Sequence, residues 1–323
     1  MAADFQLLNS VSASLRLREK FGEDAIMNRK VKVAIEGREL FLTNLDKVFF
    51  PETGMTKGDV INYYRIIAPV LMPHVKDRTI SLKRYPDGIT DGYFYEKRCP
   101  PFHPPWIRTK KDELSRKKPD YCVLSDVPSL IWFVNLASVE LHTFLHRIDG
   151  NQPTMVMFDL DPGPPAFLTE SARVALMLRD LFDRIGLVCF AKMSGGKGIH
   201  LAIPLNVPVE YAETKQFARS VAQTVESRLP DLVVSNMNKS LRGGKVLIDW
   251  SQNDRHKTTV SVYSLRMHPK PTISAPVSWH EIEKAEKNKT MEKLLFSPEE
   301  LLERVERVGD IWADVVAMKQ KLP

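Results

Sequence analysis

Three cysteines in 323 residues, Cys99, Cys122 and Cys189, are too few and too scattered for a disulfide framework, and their scarcity fits a reducing compartment. Cys99 and Cys122 with His103 make a poor zinc site, because the spacing is wrong and a fourth ligand is missing. No apolar run approaches the ~20 residues needed to span a bilayer, so no membrane partner is expected. The first thirty residues carry alternating charges (Arg16, Arg18, Glu19, Lys20, Glu23, Asp24) and lack the apolar core of a secretion signal. A cytoplasmic protein, associated with the nucleoid, is the expectation. Repeats and low-complexity tracts are also missing. Nor is the charge one-sided: 46 basic against 40 acidic residues leave +6, which is compatible with a polyanionic partner without demanding one.

What is present is a chain with 43% hydrophobic residues, enough for a large core. Alternation over VKVAI and LFLT around EGRE predicts a hairpin at 31–43. Thr56 with Asp59 reads as a capping box opening a helix with Val60, Tyr63, Tyr64 and Ile67 on one face. A proline-rich loop, PPFHPP, covers 100–105. Lys110, Lys111, Arg116, Lys117 and Lys118 crowd a segment that reads as a basic loop.

From 154 onward strands and helices alternate. Strands are expected at 154–160, 187–193, 199–203, 232–235, 245–250 and 258–263. A helix at 169–185 keeps Val174, Met177, Leu178, Leu181, Phe182 and Ile185 at helical spacing. A second, near 210–229, buries Phe217, Val221, Ala222 and Val225. Ser278 with Glu281, and Ser297 with Pro298 and Glu300, mark later helix starts. The class is α/β (α+β), with helices packed on a mixed, largely antiparallel sheet.

The chemistry concentrates where apolar strands end. In MVMFDLDPG, residues i and i+2 share a face, so Val156, Phe158 and Leu160 pack one way while Asp159 and Asp161 point the other. In KVLIDWSQ, Asp249 ends an apolar run in the same manner. Three carboxylates at strand ends suit hard divalent cations, and two ions about 3.5–4 Å apart serve in-line phosphoryl chemistry. SGGKGIHL adds a glycine turn whose N–H groups can form an anion nest, with Ser194, Gly196 and Lys197, and His200 on the strand beyond. It is not a P-loop, since a strand follows it. Arg242, Lys245, Gln252, Lys257 and Arg266 read together as a cationic wall around a polyphosphate.

The order FDLDPG, SGGKGIHL, SLRGGKVLIDWSQN resembles the primase-polymerase domain of bacterial DNA ligase D, in the archaeo-eukaryotic primase superfamily. TNLDKVFFPETGMTKGDVINYY, SLKRYPDG and FYEKRCP agree with it, from about Thr43 to about residue 310. The resemblance implies a primase-like catalytic core with an N-terminal α/β part packed on it. It divides the chain into an extension at 1–30 and a polymerase domain at 31–323. Within that domain 31–150 would bind 5′-phosphate and template, 151–270 would form the core, and 271–323 the C-terminal helices.

It implies a DNA-directed nucleotidyltransferase that adds nucleotides, preferably ribonucleotides, at short gaps or breaks bearing a 5′-phosphate. Two divalent ions, Mn²⁺ or Mg²⁺, would be held by Asp159, Asp161 and Asp249. Lys83, His142, Ser194, Gly196, Lys197, His200, Arg242, Gln252 and Arg266 would bind the nucleoside triphosphate. Asn44, Lys47 and Lys57 would hold the 5′-phosphate of DNA, and Phe94 with Tyr95 would stack on the template. The basic segment 110–118 would help bring two DNA ends together. Ku and a DNA ligase are the implied protein partners.

Two rivals remain. FDLDPG also resembles the DxD start of haloacid-dehalogenase-type phosphatases, but those continue with Gly-Thr and need a late acidic pair where this chain has a single Asp249. A DNA-end scaffold that had lost its chemistry would keep three carboxylates at the cost of burying them without a cation.

Overall fold

The computed structural model describes residues 30–113 and 115–323. The N-terminal extension and its charged residues, apart from Lys30, lie outside the described residues.

Two six-stranded antiparallel arrays form the frame. The first runs Val233–Val234, Val246–Asp249, Met155–Pro162, Ile199–Pro204, Phe190–Met193, Pro276–Val277; only the outermost pair, Val233–Val234 with Val246–Asp249, is parallel. The second runs Thr258–Val260, Ser138–Phe144, Arg78–Arg84, Asp120–Leu124, Thr109–Lys111, with Phe94–Glu96 paired to Arg78–Arg84. The hairpin Lys30–Ile35 and Arg38–Thr43 stands apart as its own sheet. Among the described residues no helix is long and apolar enough to cross a membrane.

Strand periodicity decides where the core lies. Along Met155–Pro162, Val156, Phe158 and Leu160 enter one core with Leu178, Phe182, Ala222 and Ile282 of the helices Leu168–Arg184, Tyr211–Arg228 and Trp279–Lys287. Phe158 and Phe182 meet at 5.3 Å between ring centroids. Met155 and Met157 point the other way, into a second core. There the helices Lys57–Val75 and Val127–Asn135 pack Tyr64, Ile67, Leu71, Leu130 and Phe133 against Ile80, Leu82 and Leu141. Both faces of the aspartate strand are therefore buried until residue 158, and each large apolar side chain there contributes roughly 1.5–3 kcal/mol. Asp159 and Asp161 continue the Met155–Met157 face just past the edge of that core.

The capping boxes at Thr56–Asp59, Ser278–Glu281 and Ser297–Glu300 form as the sequence indicates. Other expectations need correction. In the helix Leu168–Arg184, Met177 is 40% exposed, and the following Ile185 is 42% exposed, because the core takes only a stripe through Val174, Leu178 and Phe182. The basic segment is not all loop: Thr109–Lys111 is a strand paired with Asp120–Cys122, so the lysines ride a hairpin. Glu113 sits between Lys111 and Lys118, at 3.6 and 3.2 Å. Cys99 and Cys122 are joined in a disulfide, with Cα atoms 4.7 Å apart. The reason lies in tertiary structure. The Cys99 N–H donates to Asp120 O, which lays the segment after Phe94–Glu96 against the next strand and brings two distant cysteines together. Cys189 alone stays free, and buried.

Candidate active site and nucleic-acid interface

Antiparallel register builds the site. Asp159 is directly opposite Asp249 on one side and His200 on the other, and His200 is opposite Lys192 on the next strand. Directly opposed residues share a face, so Lys192, His200, Asp159 and Asp249 form one row across four strands. Asp161 lies two residues along on the same face.

Each carboxylate is turned to its own partner. His200 Nε2 lies 3.2 Å from Asp159 Oδ1. Lys197 Nζ is 3.2 Å from Asp161 Oδ1 and Arg242 Nη1 3.5 Å from Oδ2. Asp249 accepts from the Ser251 N–H at 2.9 Å and from Gln252 Nε2 at 3.0 Å. Among the described residues no group of three His, Cys, Asp or Glu side chains converges into a ready-made metal cage. The donor set nevertheless fits a hard cation: three partly exposed carboxylates on one sheet face, two of them facing each other across a ladder. Burial by itself would raise the Asp159 pKa, but His200, Lys192 and Arg266 outweigh it and hold the carboxyl below its ordinary range. Burial, reinforced by Lys192, lowers the pKa of His200 against the pull of Asp159.

Close approach explains two glycines. A Cβ on Gly163 would stand 2.1 Å from Arg242 O, because the SLRGG segment crosses over the end of the aspartate strand there and delivers Arg242 to Asp161. Gly195, at φ +77°, packs under Arg266 Cγ, 2.6 Å from where a Cβ would be. In the same loop, the N–H groups of Gly196 and Gly198 both donate to Ser194 Oγ at 3.2 Å. The loop is thus folded around its own serine rather than held as an open nest. Arg266 Nη1 braces it by donating to Ser194 O at 2.8 Å. Lys245, grouped by sequence with the cationic wall, turns away instead and donates to Pro230 O at 2.6 Å.

The second sheet brings Lys83 and His142 to Arg266, and so to the glycine loop, through a residue that sequence reasoning missed. Glu140, 2% exposed, takes Lys83 Nζ and His142 Nε2 at 2.9 Å, Tyr85 Oη at 3.0 Å and Arg266 Nε at 3.3 Å. Burial pushes its pKa up, yet the His142 hydrogen bond, Arg266 and Lys83 together hold it well below the carboxylate range. The available signal was a carboxylate set between Val139 and Leu141, two residues before His142 and so on the same face of the strand.

Phe94 and Tyr95 point to opposite faces, as neighbours on a strand must. Tyr95, half exposed, is 6.1 Å from the His142 ring, while Phe94 stacks with Arg84 at 5.2 Å. Tyr93, not anticipated, receives Lys83 Nζ over its ring at 4.3 Å. His268, equally unforeseen, leans over the glycine loop, and its Nε2 is buried without a hydrogen-bond partner.

Asn44, Lys47 and Lys57 meet where the turn after the hairpin docks on the start of the helix Lys57–Val75. Asn44 adopts a left-handed φ of 54°, closing a turn in which Lys47 N donates to Asn44 O. That turn docks on the helix start through Lys57 N to Lys47 O at 2.8 Å. Lys57 is 4% exposed and donates from Nζ to Thr43 O at 2.7 Å; Lys47 pairs with Asp87. Burial, then repulsion from Lys47 and Arg84, pulls the Lys57 pKa down to about 8.

Residues 56–312 match the family described as LigD, primase-polymerase domain. The chain is 38% identical over 279 residues to the multifunctional non-homologous end joining protein LigD of Mycolicibacterium smegmatis, covering 85% of this chain and 36% of that one. It is 29% identical over 286 residues to the bifunctional LigD of Bacillus subtilis, covering 88% and 45%. It therefore spans under half the length of these curated relatives. Among solved structures, the polymerase domain of Mycobacterium tuberculosis ligase D in complex with DNA superposes with a TM-score of 0.81 at 36% identity, over 87% of this chain and 99% of that one. The sequence motifs, the mixed α/β fold and these likenesses agree: the chain belongs to the LigD primase-polymerase domain family.

Proposed function

We propose that this protein is a DNA-directed nucleotidyltransferase that fills short gaps or breaks carrying a 5′-phosphate, in end joining or gap repair. The observation that carries this reading is the row Asp249–Asp159–His200, with Asp161 beside it, opening next to a glycine turn and two arginines. Carboxylates there would hold divalent ions, Mn²⁺ or Mg²⁺, which would acidify the primer 3′-hydroxyl and screen the triphosphate. The protein's own groups do the rest. Lys197, His200, Arg242 and Arg266, now paired with carboxylates or backbone, can exchange those partners for phosphate oxygens, with Ser194, Gly196 and Gln252 close by. Lys83 and His142, held by Glu140, would line the nucleoside side. Ku, a ligase and the relatives' end-joining role enter as part of this proposal.

The test is extension of a primer across a short gap, with ribo- and deoxynucleotides in parallel and p-nitrophenyl phosphate as a second substrate. Templated extension supports the reading. Phosphate release without extension favours the phosphatase, and DNA binding without either reaction favours the inert scaffold.

A further inference from the structure

Lys192 has no part in the chemistry described so far, yet it is only 1% exposed and closes the row behind His200. Burying an ammonium is costly unless every donor finds an acceptor. Here all three do: Lys192 Nζ contacts Ser274 Oγ at 2.6 Å, Val260 O at 3.1 Å and His200 Nδ1 at 3.0 Å. Ser274 sends its own hydroxyl hydrogen to Met193 O, so its oxygen is an acceptor towards the lysine.

The proton positions follow from this inventory. Burial, then repulsion from Arg266, lowers the Lys192 pKa to about 7 against the pull of Asp159, so the amine carries its charge below that pH. In that form it only donates, and His200 Nδ1 must accept. The imidazole proton then sits on Nε2, facing Asp159 Oδ1 at 3.2 Å. In the other tautomer a lone pair on Nε2 would face a carboxylate, and the Nδ1 proton would face the lysine. With Lys192 charged, one arrangement satisfies all four contacts.

We propose that Lys192 is a positioning residue that locks His200 in the Nε2–H tautomer, so that the ring presents a donor, never a lone pair, to the triphosphate. The inference rests on the reading of His200 as a phosphate contact. Without the lock, a neutral imidazole would spend part of its time with its lone pair toward the phosphate oxygens, and each such ring repels the ligand. Only a buried cation at this point of the row gives that constraint, since a serine or a backbone carbonyl could take part in either tautomer or favour the wrong one.

Nitrogen NMR of the wild-type protein at pH 6, where Lys192 carries its charge, with His200 assigned through His200→Gln, reads the tautomer directly and needs neither metal nor turnover. A proton on Nε2 is expected; a proton on Nδ1 overturns the proposal. Lys192→Met should mix the tautomers and weaken nucleoside triphosphate binding about tenfold, raising KM with DNA affinity unchanged. The double variant with His200→Gln should bind no worse than His200→Gln alone. Additive losses would assign Lys192 a purely structural role and sink the proposal. If His200→Gln alone leaves triphosphate affinity unchanged, the underlying reading of His200 has failed, while the tautomer measurement still stands by itself. Should Lys192→Met not fold, the wild-type spectrum still decides.

Discussion

The carboxylate row and the lysine pair solve opposite electrostatic problems in different ways. At the row each carboxylate already has its own donors: Asp159 has His200, Asp161 has Lys197 and Arg242, and Asp249 has Ser251 and Gln252. The site is balanced before anything binds, and a ligand must trade places with existing partners. At the lysine pair the balance is incomplete. Lys47 has Asp87, but among the described residues Lys57 has only Thr43 oxygens and feels Lys47 and Arg84 as repulsion. A balanced site gains by exchange, whereas a strained one gains by simple addition of an anion, which is what selectivity for a doubly charged terminal phosphate requires.

The sharpest way to break the comparison is at the row. Asp159→Ala or Asp249→Ala should lower nucleotide addition by more than about 10³, or about 4 kcal/mol, because charge stabilisation of the transferring phosphoryl is lost. DNA affinity should hold if the proposed grip on DNA lies at the lysine pair rather than at the row. Single-turnover extension beside a binding titration reads both, and more than a few per cent residual activity would remove Asp159 and Asp249 from the chemistry.

Next in size is the lysine pair. Gapped DNA with a 5′-phosphate should bind roughly tenfold more tightly than the same DNA without it, about 1.4 kcal/mol. Lys47→Ala and Lys57→Ala should each erase most of that preference and still extend a simple primer-template. The comparison must be run at one salt concentration. Equal weakening on both DNAs would reduce the lysines to general backbone contacts.

The same preference carries a pH signature. A phosphate monoester takes its second charge near pH 6, so the preference should grow as pH rises through that value. Lys57 is charged below its pKa of about 8 and loses its proton above it, so the preference should decline again on the alkaline side. Bound phosphate raises the Lys57 pKa in the complex, which sets where that decline ends rather than where it begins. A preference that stays flat from pH 7 to 10 would mean that Lys57 does not touch the phosphate.

Sugar choice sharpens the contrast at a smaller scale. Ribonucleotides should show a higher kcat/KM than deoxynucleotides, because polar groups around His142 are left unpaired when the 2′-hydroxyl is missing. Glu140→Gln, which loosens His142 and Lys83, should narrow the ratio; an unchanged ratio would move sugar selection to other residues.

The smallest effect expected is Thr56→Ala. It removes one half of the capping box at the helix that carries Lys57 and should cost about 1 kcal/mol, a drop of a few degrees in thermal midpoint. An unchanged midpoint would mean that Asp59 alone suffices.

Legibility followed the range of the interaction. Strand alternation and capping boxes are local, so the hairpin, the aspartate strand and three helix starts could be read from the residues. The faces of Asp159 and Asp161 followed from period two. The family resemblance supplied Asn44, Phe94 and His142, which no local pattern marks. What stayed hidden depends on tertiary approach. Glu140 and Lys192 matter through neighbours dozens of residues away. Gly163 is required by a crossing segment rather than by its own turn. The Cys99–Cys122 bridge depends on a strand pairing that spacing does not encode.

Because the row is cut across four strands, its geometry is a property of alignment rather than of any one side chain. One residue inserted between Met155 and Phe158 would exchange inside for outside along the rest of that strand, sending Phe158 toward the carboxylate face and Asp159 toward the helices. Changes of length in this family domain should therefore be tolerated in the loops and forbidden between the core and the row. A library of single-residue insertions scored for extension would map those four strands as silent stretches, with no intermediate activities between working and dead.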